Sequence, residues 1–135
     1  MSLDWFPESY QDLLKDEVRA FAFLGTIMDD GTPQVTPVWF NTDGENILIN
    51  SARGRVKDRN MRQRPEVALA IVDPQDPYRY VQVRGVVVAY TEEGGDVHIN
   101  ALCDKYTGQP VYPSKAPGEV RVIYTIRPKS IFGKK

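Results

Sequence analysis

At 135 residues, with 41% hydrophobic and 26% charged, the chain suits one globular domain spanning 1–135 with a single core. A net charge of −1 offers no global attraction to nucleic acid or an acidic membrane, and no run approaches the roughly 18 apolar residues of a bilayer span. One cysteine (Cys103) excludes an internal disulfide, one histidine (His98) leaves a zinc site almost without ligands, and the acid-bearing N-terminus is no signal peptide, so the cytoplasm is the expected compartment.

Pro7, Glu8 and Asp12 predict a short opening helix to about Glu17, with Tyr10, Leu13 and Leu14 turned inward. The stretch "RAFAFLGTIMDDGTPQVTPVWFNTDGENILINSA" reads as three strands punctuated by the turn dipeptides Asp30-Gly31 and Asp43-Gly44. Pro33 and Pro37 each lack a backbone donor and mark the second strand as an edge or a bulge. Beyond Ala52 the pattern becomes basic: "GRVKDRNMRQR" has only Val56 and Met61 as apolar residues and stops at Pro65, which predicts a helix over 56–63.

"EVALAIVD" is a buried strand, "PQDPYR" a loop, and "YVQVRGVVVAYT" a longer strand with a bulge at Gly85. After a turn at 93–95, "DVHINALCDKYTG" predicts a helix with Ile99, Leu102, Cys103 and Tyr106 on one stripe and Gly108 as its stop. His98 lies off that stripe and is expected at the surface; Cys103 lies on it and is expected in the core. "VRVIYTIRP" alternates Val120, Val122, Tyr124 and Ile126 as a last strand. The order points to a mainly β (α+β) fold, a six-stranded antiparallel barrel flanked by short helices.

No Walker loop, dinucleotide fingerprint, nucleophile elbow or HExxH motif is present. An enzyme without an acid–base constellation leaves the chemistry to a cofactor, so the basic stretch carries the most information. Ser51 ends a strand, Gly54 allows a tight turn, and Arg55 and Lys57 stand at a helix start. A hydroxyl, helix amides and two cations can hold a phosphate; a solvated helix face is the plain alternative. RNA binding is disfavoured because no aromatic residue interleaves with the cations.

The run from "TPVWF" through Arg-x-Lys-x-Arg-Asn-Met-Arg-x-x-Pro (Arg55 to Pro65) to "YRYVQVRG" resembles the pyridoxamine 5'-phosphate oxidase-like FMN-binding split-barrel superfamily. More narrowly, it is similar to the branch that uses the deazaflavin coenzyme F-420. The resemblance implies a homodimeric split barrel with cofactor sites at the subunit interface. Thr36, Pro37, Val38, Trp39 and Phe40 would run under the ring, Asn50 and Ser51 would end a strand beside the phosphate, and Arg55, Val56 and Lys57 would form the phosphate turn. Gln82 would reach the ring from the partner chain. Trp39, Tyr78 and Tyr80 are candidates for the acceptor side, and Arg53, Arg59 and Arg62 for the cofactor's carboxylate-bearing tail. The implied activity is hydride transfer from reduced deazaflavin to a small conjugated acceptor. FMN chemistry and cofactor carriage without turnover are the alternatives. "IRPKSIFGKK" lacks the Trp and Arg of a pyridoxal-phosphate pocket, which argues against vitamin B6 oxidation.

Overall fold

A computed structural model describes residues 6–134. Two short 3-10 helices, Glu8–Leu14 and Asp16–Val18, replace the single expected opening helix. Lys15 between them is extended, and Arg19, just after the second, is left-handed at φ 54. Leu13 is nonetheless fully buried, with Tyr10 and Leu14 packed against the core.

Seven strands follow: β1 (Phe21–Ile27), β2 (Pro33–Val38), β3 (Phe40–Thr42), β4 (Ile47–Ala52), β5 (Glu66–Asp73), β6 (Asp76–Thr91) and β7 (Arg121–Lys134). Helix α1 (Val56–Gln63) lies between β4 and β5, and α2 (Gly95–Thr107) between β6 and β7. All pairings are antiparallel, in the order β2-β1-β5-β6-β7-β4-β3.

The seventh strand corrects the expectation of six. One expected strand is broken at Trp39 because it changes partner there. Up to Val38 it pairs with β1, and from Phe40 it pairs with β4. These are opposite ends of the sheet order, yet two Cα–Cα steps span at most about 7 Å. The two ends of the sheet therefore meet at Trp39, and the sheet curls into a split barrel.

Alternation sets the faces. Leu24, Ile49, Leu69, Val83, Val122 and Tyr124 point inward and are buried. Each such side chain contributes roughly 1.5–3 kcal/mol on leaving water. The outer face carries Pro37, Phe23, Ala70, Gln82 and Phe132 in one continuous cross-strand row.

The proposed bulge at Gly85 is present: the β6–β7 register shifts there, and a Cβ on Gly85 would lie 2.9 Å from the Arg127 carbonyl oxygen. The shift also lets β7 continue past Pro128, where the sequence pattern had suggested an end. The expected 74–79 loop shrinks to a two-residue turn because Asp76 already pairs with Asp73. Among the described residues no helix is long and apolar enough to cross a membrane.

Candidate functional site

The β4–α1 connection shows how the sequence builds a site. Gly54 takes φ 93, and Asp58, in the first turn of α1, accepts a hydrogen bond from the Gly54 amide at 2.9 Å. Asp58 is buried and also accepts from Tyr124 and, at 2.8 Å, from Arg62 Nε. Burial pushes its carboxyl up, but the bonds from Tyr124, the Gly54 amide and Arg62 outweigh that and hold it below the usual carboxylate range.

This accounts for much of the basic stretch. Arg62 serves Asp58 and lies over the Tyr90 ring at 4.3 Å. Arg64 donates to the Ile27 carbonyl at 2.7 Å and to Asn60 at 3.2 Å. Arg59 donates to the Gly54 carbonyl at 2.5 Å, and Arg53 pairs with Glu92 at 2.8 Å. Each of these four has a partner within the fold; Arg62 and Arg64 are half-buried, while Arg53 and Arg59 remain exposed.

The other two cations of the stretch, Lys57 and Arg55, line a cleft, and Arg55 is also paired with Glu119 at 3.3 Å. An open cleft of about 310 Å³ lies where β2 ends, bounded by β4, β7 and α2. Arg55 and Lys57 enter it from the start of α1, and Arg121 enters from the start of β7. Lys57 is half-buried and makes no hydrogen bond or ion pair among the described residues. Burial, then the charges of Arg55 and Arg121, pull its pKa below the usual lysine value.

Arg121 is buried and held on three sides. Its Nε donates to Asn50 Oδ1 at 2.9 Å, NH1 donates to Glu119 at 3.0 Å, and the guanidinium lies 5.3 Å from the Tyr112 ring centre. Since Asn50 Oδ1 faces a donor, its Nδ2 points the other way, to the Gly95 carbonyl at 3.0 Å and His98 Nδ1 at 3.1 Å. His98 Nδ1 is thus the acceptor, and its proton sits on Nε2, donated to Asn41 Oδ1 at 2.9 Å.

His98 is therefore buried, not at the surface: α2 packs so close that a Cβ on Gly95 would lie 2.2 Å from the Arg121 carbonyl oxygen. Burial and the Arg121 charge lower the His98 pKa to about 4, so the ring is neutral near pH 7.

The apolar side of the cleft is Phe21, Pro37, Val38, Ile99 and Leu102, with Trp39 at the strand break. Trp39 stacks on Tyr106 at 5.4 Å and meets Tyr112 edge-on at 6.2 Å. The Tyr106 hydroxyl is tied to the Ala20 carbonyl at 2.8 Å, so the indole rests on an anchored ring.

Of the sequence candidates, Pro37, Val38, Trp39, Asn50, Arg55 and Lys57 line this cleft. Phe40 is in the core beneath Lys105, whose Nζ donates to the Phe40 carbonyl at 2.6 Å. Among the described residues the buried hydroxyls of Ser51 and Thr36 find no hydrogen-bond partner, and Val56 is half-buried on α1. Gln82 is exposed on the outer face; Tyr78 is also exposed, and Tyr80 pairs with Val72 away from the cleft.

Arg121, Tyr112 and His98 escaped sequence reasoning. The one available signal was an arginine opening the last strand, which matters only once Arg121 is known to face Ala52 across β4–β7. Among the described residues no cluster of three or more metal-ligating side chains exists.

A curled antiparallel barrel with a cationic cleft at its strand break is a split barrel. The chain belongs to the pyridoxamine 5'-phosphate oxidase family, whose sequence profile matches residues 6–135. Among solved structures it is similar to one named F-420 reductase, 36% identical with a TM-score of 0.82 over 93% of this chain and 98% of that one. A conserved hypothetical protein from Mycobacterium tuberculosis is 23% identical, with a TM-score of 0.72 over 96% of this chain and 85% of the other. A protein from Listeria innocua, described as a putative pyridoxamine 5'-phosphate oxidase, is 16% identical, with a TM-score of 0.69 over 93% and 95%. These last two share the fold.

Proposed function

We propose that this protein is an oxidoreductase that binds reduced deazaflavin coenzyme F-420 in the cationic cleft and serves hydride transfer to a small conjugated acceptor. The observation that carries the reading is Lys57, a half-buried cation with two arginines and no acid of its own. Such an arrangement is unfavourable until an anion enters, and a phosphate is the anion carried by the cofactors that the sequence resemblance implies. The 36% identity to the F-420 reductase over nearly the whole chain favours the deazaflavin over FMN.

When bound and reduced, the deazaflavin supplies a hydride from its ring carbon. The chain's own residues orient and enclose it. Arg55, Lys57 and Arg121 fix the phosphate, Asn50 holds Arg121, and Pro37, Val38 and Trp39 line the side along which a flat ring would lie. Ile99, Leu102 and Phe21 keep water from the apolar wall. No side chain of the cleft is asked to act as a general acid or base.

The working form is a homodimer. At about 310 Å³ the cleft is at the small end of ligand pockets, which run to roughly 1,000 Å³, and its open side needs a second wall. The outer face offers Phe21 at 49%, Phe23 at 40% and Phe132 at 58% exposure beside Gln82. An apolar face of that kind fits an interface between copies, and Gln82 in its centre row would reach the partner's ring.

Titration of purified protein with F-420 and with FMN tests the cofactor. Binding of F-420 at least tenfold tighter supports the proposal, FMN-selective binding moves the protein to flavin chemistry, and no binding of either removes the cofactor reading. A monomer in analytical ultracentrifugation at micromolar concentration would remove the shared site.

A further inference from the structure

Glu119 stands between the two arginines of the cleft. One carboxylate oxygen accepts from Arg55 at 3.3 Å and the other from Arg121 NH1 at 3.0 Å. Its side chain is only 9% exposed. The seat is built by the backbone: Gly118 takes φ 77, and the Glu119 amide bonds the Ala116 carbonyl at 3.0 Å.

This carboxylate is not required to place Arg121, which Asn50 and the Tyr112 ring already hold. Nor does it immobilise Arg55, whose side chain remains 49% exposed. What it changes is the charge met by an entering anion: three cations line the cleft, and Glu119 cancels one of them.

Resting on the reading of the cleft as a phosphate site, we propose that Glu119 is a specificity residue that penalises a doubly charged phosphomonoester more than a singly charged phosphodiester and so shifts the cleft's selectivity toward the diester. The repulsion between a fixed carboxylate and a ligand scales with the ligand's charge, so a monoester feels it twice. The deazaflavin coenzyme carries a diester and FMN a monoester, so one carboxylate turns the difference between their phosphates into selectivity. Even at the dielectric of water and a separation of about 6 Å, each unit of ligand charge corresponds to about threefold in affinity.

The experiment compares three ligands with one ring: phosphorylated deazaflavin riboside, its methyl phosphodiester and the unphosphorylated riboside. Each is titrated calorimetrically against wild type, Glu119→Gln, Glu119→Asp and Lys57→Met. Glu119→Gln is expected to tighten the diester about threefold and the monoester about tenfold, leaving the unphosphorylated riboside unchanged. Glu119→Asp keeps the charge and is expected to retain the wild-type ratio of monoester to diester affinity.

Equal changes for both phosphates in Glu119→Gln, or weakened binding of both, would overturn the proposal, the latter by making Glu119 a support for the arginines. A Glu119→Asp ratio shifted as far as that of Glu119→Gln would overturn it too. Lys57→Met separates the two levels. If it weakens both phosphate ligands but not the riboside while Glu119→Gln moves them in parallel, only the role of Glu119 fails. If it weakens neither, the phosphate site itself is wrong.

Discussion

Lys57 is the most informative residue to remove, because two effects of opposite sign meet there. A charge-assisted hydrogen bond to a phosphate contributes about 1.5–3 kcal/mol, so Lys57→Met should raise the cofactor dissociation constant roughly 10- to 150-fold. The free protein should respond the other way. Burial and the Arg55 and Arg121 charges all disfavour the lysine's cation, and no acid among the described residues pairs with it directly. Replacing it with an apolar chain of similar length should therefore leave stability unchanged or raise it, by up to about 1 kcal/mol.

The sign of the pH dependence follows. With a folded-state pKa below that of the unfolded chain, the unfolded chain holds the proton more firmly, and this weighs against folding at neutral pH. The penalty lifts as pH rises from the lowered value through about 10.5, so any gain from Lys57→Met should fade across that window. Isothermal titration for affinity, with urea denaturation of the ligand-free protein near neutrality and near pH 10.5, reads both effects. If affinity and stability fall together, Lys57 is a packing residue and the anion argument fails; if affinity is unchanged, no phosphate rests there.

The remaining predictions concern the scaffold of the cleft. His98, with its pKa lowered from 6.5 to about 4, should cost up to about 3 kcal/mol of stability as pH falls between those values, with little change above about pH 7. His98→Gln should flatten that part of the urea-midpoint profile; an unaltered slope would assign the loss to other groups. Asp58→Asn turns an amide donor toward the Gly54 N–H or Arg62 and should cost about 2–4 kcal/mol. A near-neutral midpoint would contradict the hydrogen-bond assignment. Gly95→Ala sets a methyl 2.2 Å from a carbonyl oxygen and should cost more than about 2 kcal/mol in thermal unfolding. An unshifted melting curve would mean that α2 is not seated on β7 so closely.

Local signals carried well into this fold. Helix α1 and strand β5 have the expected bounds because Pro65 ends one and the hydrophobic run defines the other. The turns at Gly31 and Gly44 take the positive φ that their dipeptides imply. What stayed hidden depends on distant pairing. The partner change at Trp39 cannot be read from a strand that looks continuous, since β1 and β4 decide it jointly. Arg121 and His98 join the site through Asn50, 71 and 48 residues away in sequence. The basic helix misled for a related reason: Asp58 reads as one acid among cations, and only its burial against Tyr124 shows that Arg62 must serve it. Six of the eleven cofactor-binding candidates from the resemblance line the cleft, and three of them, Pro37, Val38 and Trp39, are consecutive in sequence.

The position of β7 has a consequence for how the chain is made. It is the last strand in chain order, yet it lies inside the sheet between β6 and β4, pairing Ile47 with Ile126. During synthesis β1, β2, β5 and β6 can pair as soon as they emerge, while β4 must wait with its inner edge unpaired. Contacts of such sequence separation are slow to form, because loop closure precedes the reward of pairing. The topology therefore predicts that the β1–β2–β5–β6 meander can form before the β3–β4 hairpin gains its second neighbour. Arg121 belongs to the strand that completes the sheet, so the cationic cleft it lines can form only once β7 has paired with β4.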